Sequence, residues 1–255
     1  MQTLPYCGAP PVPGAVSWNL DPVLLTCLVT AAVAYVLGAR RLQLAPSQRA
    51  AFLAGWAILS ISLVSPLCNL SVALFSARIS QHMLIEFVAA PLIAWGLPWR
   101  PASGRSAMGS ALLGAAPFAA ALWFWHMPGP YDWTFTSVPA YWSMHITLLL
   151  AAILLWKVLL DRRSPAASLL ASGLTTVQMT MLGAVYTFAG RAFFDVHFGT
   201  TEVWGLSPLE DQQLGGLLMW IPPGLALAGV AVWTLARFLS DGADLPSRPL
   251  TIMRD

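Results

Sequence analysis

Long apolar runs separated by short breaks constrain this chain more than any motif in it. Seven stretches of mostly apolar residues lie at roughly 22–39, 49–67, 78–97, 108–126, 139–160, 166–189 and 212–238. About 20 such residues cross the hydrocarbon core of a bilayer as a helix. Pro46, Pro66, Pro98, Pro101, Pro130, Pro139, Pro165 and Pro208 sit near the breaks, where a fixed φ and a missing N–H end helices. Only 9% of the 255 residues are charged and 57% are hydrophobic, whereas soluble domains carry roughly a quarter charged residues. Such a chain cannot cover itself in water, so a soluble enzyme is excluded, and it is too apolar for disorder. A net charge of +2 excludes nucleic acid as a partner, because that needs dense Lys/Arg patches. The expected fold is an all-α, polytopic bundle of seven transmembrane helices in a lipid bilayer. A short extracytoplasmic leader at 1–21 precedes the membrane domain at 22–239, and a cytoplasmic tail follows at 240–255. The first twenty residues hold no Lys or Arg, so they do not read as the basic start of a signal peptide.

Basic residues set the orientation, because they favour the cytoplasmic side. With the N-terminus outside, the inner loops and tail hold Arg40, Arg41, Arg49, Arg100, Arg105, Lys157, Arg162, Arg163, Arg237, Arg248 and Arg254. Those are eleven of the thirteen Lys and Arg, and only Arg78 and Arg191 remain outside. The expectation is N-out, C-in. Seven spans in this sense also fit microbial rhodopsins, but retinal needs a Schiff-base lysine on the last helix. The sole lysine, Lys157, lies at the inner end of the fifth span, so retinal is excluded. Cys7, Cys27 and Cys68 are far apart and form no C-x-x-C, and their spacing defines neither a zinc site nor a disulfide framework.

All four histidines fall on the outer side in this topology. His82 lies near the outer end of span three, His126 closes span four, His145 is about two turns into span five, and His197 is in the last outer loop. Met83 and Met127 each follow a histidine, Met144 precedes His145, and Met181 and Met219 are placed in the outer halves of spans six and seven. Soft thioethers with imidazoles suit Cu(I) better than Mg²⁺ or Ca²⁺, which want oxygen. The residues leave three readings open: a metal site, hydrogen-bonded histidines at helix ends, and axial heme ligation. Methionine also fills gaps in apolar cores.

Arg78, His82 and Glu86 recur at i, i+4 and i+8 and share one stripe of span three. Glu86 sits about 12 Å below the outer surface at 1.5 Å per residue, where an unpaired charge costs several kcal/mol, so it faces the bundle interior. Proton handling, a charge for a bound cation, and a buried ion pair with Arg78 through His82 are all consistent with that placement. Gln178, Gln212 and Gln213 read as donors between helices, and Pro222-Pro223-Gly224 as a break or kink in span seven. The outer loops are acidic and aromatic, with Tyr131-Asp132-Trp133, Asp195, Glu202, Trp204, Glu210 and Asp211.

Four segments carry a family resemblance: SARISQHMLIEFVAAPLIAWGLPWR (76–100), LWFWHMPGPYDW (122–133), YTFAGRAFFD (186–195) and WGLSPLEDQQLGGLLMWIPPG (204–224). With the spans between them they cover roughly residues 50–240, and the Asp-Gln-Gln leading into Met-Trp-Ile-Pro is the most specific. The chain resembles the CtaG family of cytochrome c oxidase assembly factors, the multi-spanning kind associated with bacterial caa-type oxidases. The resemblance implies a non-catalytic protein of the bacterial cytoplasmic membrane that matures a heme–copper oxidase. It implies help in copper delivery at the outer face, with an oxidase subunit or a copper chaperone as partner. His82, Met83, His126, Met127 and His145 carry over as metal ligands, and Asp211 with Gln212 as cofactor-binding residues beside Arg78 and Glu86. The chain departs from the family pattern at Arg78-Ile79, where relatives carry a further His-Met, and at Met144, where they carry a carboxylate. The competing function is a membrane b-type cytochrome, with pairs among His82, His126 and His145 as axial ligands and Arg78 or Arg191 at the propionates. A heme pair at two depths needs histidines at two depths, which this chain lacks. A transporter would need ligands stepping through to the inner side, and below Glu86 and Gln178 there are few.

Overall fold

The computed structural model describes residues 4–99 and 104–243. Every regular element among them is helical. They are α1 (Pro22–Arg41), α2 (Pro46–Val64), α3 (Pro66–Ala73), α4 (Phe75–Leu84), a π turn (Ile85–Ala89), α5 (Ala90–Gly96), α6 (Ala107–His126), α7 (Pro128–Thr136), α8 (Val138–Leu159), α9 (Pro165–Thr187) and α10 (Pro208–Ala243), with 3₁₀ turns at Asp195–His197 and Glu202–Trp204. Six helices, α1, α2, α6, α8, α9 and α10, are long and apolar enough to cross a membrane. The third expected span is a continuous run, α4 through α5, whose first half is polar and whose middle is the π turn. Arg100, Arg248, Arg254 and most of the 240–255 tail lie outside the described residues.

Prolines open helices here more often than they close them. Pro22, Pro46, Pro66, Pro128, Pro165 and Pro208 are each the first residue of a helix, where the missing N–H would have had no intrahelical partner and φ is already set. Pro222 and Pro223 do not break α10, which runs through them. Proline is tolerated inside apolar spans where neighbours re-satisfy the freed backbone groups.

Two sets of contacts define the ends of the bundle. At one end Asn19 N–H donates to Val64 O (2.8 Å), Tyr186 Oη–H to His126 O (2.5 Å), and Phe75 N–H to the Asp211 carboxylate (2.6 Å). At the other, Tyr35 Oη–H donates to Gly96 O (3.0 Å) and the Lys157 ammonium to Leu97 O. The first end carries a cap made of the N-terminal segment, α3, α7 and the α9–α10 connection. Cys7 and Cys68 form a disulfide across this cap, 61 residues apart in sequence with Cα atoms 5.5 Å apart. This corrects the expectation of no disulfide. Spacing alone cannot show that a leader folds back over a later helix, and Cys27 stays free on α1.

Glycines let α10 approach its neighbours. A Cβ on Gly216 would lie 2.7 Å from Thr187 N and 2.8 Å from Gly183 O, both main-chain atoms that cannot swing aside. Gly216→Ala should therefore part α9 from α10, with an overpacking cost of about 1–3 kcal/mol. A thermal-unfolding series in detergent checks it, and an unchanged midpoint would refute the close-packing account. By contrast α1 packs chiefly on α2 and leaves a cavity of about 440 Å³ against the π turn and α8. Trp56, Leu59, Ile85 and Leu149 line it, and Cys27 and His145 border it.

Candidate functional site

Three of the four histidines meet beneath the cap. The His82 ring lies 5.5 Å from that of His126 and 5.4 Å from that of His145, centroid to centroid, and meets both edge-on. Each is on a different helix, α4, α6 and α8, and each is at most 5% exposed. His126 Nδ1 is 2.7 Å from Leu122 O and His145 Nδ1 is 3.0 Å from Tyr141 O, each four residues back along its own helix. A ring nitrogen facing a carbonyl carries the proton, so each Nε2 is left with its lone pair. Those two Nε2 atoms have no hydrogen-bond partner, and neither does either nitrogen of His82. Four unpartnered buried nitrogens are unusual, because buried polar atoms are normally satisfied.

The spacing fits rings sharing a small ion. An imidazole nitrogen sits about 2 Å from its metal, which puts the ring centroid about 3 Å away and two rings about 5–6 Å apart. As they stand, no group of three or more His, Cys, Asp or Glu side chains among the described residues is placed to hold a metal ion. The trio is a convergence of rings, with the central ring unanchored.

Arg78 and Glu86 flank the trio on opposite sides along the chain. The Arg78 guanidinium lies 4.3 Å from the Phe135 ring centroid, 5.0 Å from Tyr131 and 5.9 Å from Tyr141. A cation caged by aromatic faces is held by their quadrupoles. Glu86 is 1% exposed, and neither carboxylate oxygen has a hydrogen-bond partner. The buried ion pair with Arg78 through His82 is therefore not formed. Glu86 is the second residue of the π turn, and the cause of the turn is local. Ala90 N–H bonds to Ile85 O, five residues back, and Pro91 has no N–H to give, so Glu86 O is left without a main-chain donor. Trp156 of α8 supplies one, its Nε1–H 2.8 Å from Glu86 O. Such turns recur at functional sites, and Pro91 within the run was the sequence signal for this one.

Other expected site residues have different employment. The Asp211 carboxylate accepts from Phe75 N (2.6 Å), Ser76 N (3.2 Å) and the Ser76 hydroxyl, capping α4 from α10. Gln212 accepts from Phe193 N (2.6 Å) and donates to Arg191 O (3.3 Å), and Gln213 donates to Ala189 O (3.2 Å). Both fasten the connection that leaves α9. Met83 and Met144 are buried, whereas Met127 and Met181 turn outward at 46% and 56% exposure. His197 stands apart, with Nε2 2.7 Å from Tyr131 Oη and Nδ1 3.2 Å from Ala73 O. Burial, reinforced by the Arg78 charge, pushes its pKa down to about 3, so it is a neutral strut of the cap. Tyr141 went unnoticed in the sequence. Its carbonyl orients His145 and its ring lies 4.3 Å from the His145 ring.

The fold and site define a helical bundle with several candidate membrane spans and its four buried histidines gathered at one capped end. The family model for the cytochrome c oxidase caa3 assembly factor, Caa3_CtaG, matches residues 33–241, and the chain belongs to that family. No curated protein and no solved structure matches it.

Proposed function

We propose that this chain is a non-catalytic assembly factor that holds Cu(I) at His82, His126 and His145 and passes it to a cytochrome c oxidase subunit. The observation that carries the reading is the trio's geometry: two rings fixed by N–H···O=C bonds with their Nε2 lone pairs free, and a third ring with no anchor. Carbonyl-oriented imidazoles are how metal-binding histidines are usually held. The unanchored His82 turns to close the shell when the ion arrives, and Met83 and Met144 offer soft sulfur nearby in sequence. Glu86 supplies the negative charge that a buried cation requires, and the caged Arg78 keeps its own charge on the far side. Asp211 positions α4 and Gln212 fastens the α9–α10 connection rather than touching the ion, and Met127 is not among the ligands.

The reading places seven spans in a bacterial cytoplasmic membrane, N-out and C-in, with the composite run α4–α5 as the third. Alternation of the helices between the two ends supports this, as does the bias of basic residues. A disulfide in the cap also belongs on an oxidising side. Cysteines placed at exposed Glu202 and Ser47, in a Cys27→Ser background, test the orientation in intact cells with an impermeant maleimide. Glu202→Cys should label and Ser47→Cys should not, and the reverse pattern would move the histidines to the cytoplasmic side. Anaerobic Cu(I) titration tests the function, with one histidine-dependent ion expected per chain. A protein that takes up no copper and shows a Soret band as purified would overturn the reading in favour of a b-type cytochrome.

A further inference from the structure

We propose that Cys7 and Cys68 are a redox-controlled Cu(I) site: closed as the disulfide, and able to take up one Cu(I) as a pair of thiolates once reduced. The role as first stop on the way to the histidines rests on the function proposed above; binding by the pair does not.

The pair is arranged to stay together when the bond opens. Asn69 Nδ2 donates to Cys7 O and to Ala9 O, both at 2.9 Å, and Asn69 Oδ1 accepts from Ser17 N at 3.1 Å. The Pro5–Gly8 turn closes with Gly8 N–H on Pro5 O (2.9 Å), and Gly8 has φ +94°, a conformation that glycine adopts freely. These bonds hold the Cys7 main chain against α3 independently of sulfur. Metal–sulfur bonds of about 2.3 Å put two thiolates on one ion about 4 Å apart, within reach of Cα atoms 5.5 Å apart. Thiolate is the soft donor that selects Cu(I).

Reduction has a defined course. Cys7 is 6% exposed and Cys68 is fully buried, so an incoming dithiol attacks Cys7 Sγ as thiolate. The S–S bond breaks, Cys68 leaves as thiolate, and the second thiol of the reductant displaces Cys7, leaving the reductant as a disulfide. Cys68 is the third residue of α3, where the positive end of the helix dipole favours a thiolate. Asn19 Nδ2 donates to its sulfur at 3.6 Å. Binding one Cu(I) then releases the remaining thiol protons. From there to the histidines is one side chain. Tyr141 Oη lies 3.3 Å from Cys7 Sγ and 3.6 Å from Cys68 Sγ, and its ring stands against His145.

The test uses full-length Cys27→Ser protein in detergent, oxidised or reduced with a phosphine and desalted, titrated anaerobically with Cu(I) against a chromophoric competitor. Reduction should add one Cu(I) per chain. Cys7→Ser and Cys68→Ser should each lose that ion, and so should reduced protein alkylated before copper is added, which covers the case of a variant that fails to fold. Equal uptake by the oxidised and reduced forms would overturn the inference, as would an added ion that survives alkylation. In a His82→Ala/His126→Ala/His145→Ala variant the reduction-dependent ion should remain. Loss of the oxidised-state ion there reports on the histidines alone, so the two readings fail separately.

Discussion

His82→Ala or His126→Ala should lower active cytochrome c oxidase at least about tenfold at an unchanged membrane content of this protein. The size follows from ligand chemistry: even partners that merely orient a ligand are worth 10–100-fold in metal affinity, and the proposed site makes these two residues ligands. Folding is not expected to be the cause. Both His82 nitrogens are without partners, so removing the ring orphans nothing, and His126 surrenders one bond to a carbonyl already within its helix. Added copper should restore part of the activity, since mass action offsets a weakened site. Met83→Leu should be mild, because volume is nearly kept and one thioether is lost. Glu86→Gln should abolish activity if the carboxylate balances the ion's charge, whereas a packing role predicts little change. Oxidase turnover and copper per oxidase, at matched expression, are the measurements. Copper-replete oxidase in every histidine variant would refute the site.

Asp211→Ala should be the most destabilising change in the cap. Its carboxylate satisfies two backbone N–H groups at the start of α4 and the Ser76 hydroxyl, all buried. Hydrogen bonds to a charged acceptor contribute about 1.5–3 kcal/mol each, and orphaned buried donors add their own cost. A loss of at least about 3 kcal/mol is expected, a fall of roughly 6–12 °C in the unfolding midpoint for a chain of this size. Because α4 carries His82, copper binding should fail with the fold. Asp211→Asn keeps one acceptor oxygen and should fall between. A midpoint within a degree of the wild type would show that the cap does not hold α4.

The spans were legible because a helix in lipid must be long and apolar, and runs of that kind show in sequence without any knowledge of contacts. The expected 22–39, 108–126, 139–160 and 166–189 lie within two residues of α1, α6, α8 and α9 at each end. The histidine trio was legible for a related reason: position along a span gives depth, and three imidazoles at one depth in one bundle have few places to go. What escaped were features set by proximity between distant segments. Cys7 reaches Cys68 only because the leader folds back over α3, and Asp211 reaches the start of α4 only because α10 delivers it there. The i, i+4, i+8 stripe suggested that Arg78 and Glu86 share a partner, yet aromatic rings of α7 and α8 hold Arg78 at one end. Short α3 and α7 went unread because eight or nine residues carry too little periodicity to stand out between spans.

X-ray absorption at the copper edge of anaerobically loaded protein, with its disulfide intact, tests the central claim most directly. The account predicts one Cu(I) per chain with imidazole nitrogens at about 2 Å, and loss of that signal in His82→Ala and His126→Ala. Copper that washes out on desalting, or a first shell unchanged by removing either histidine, would contradict it.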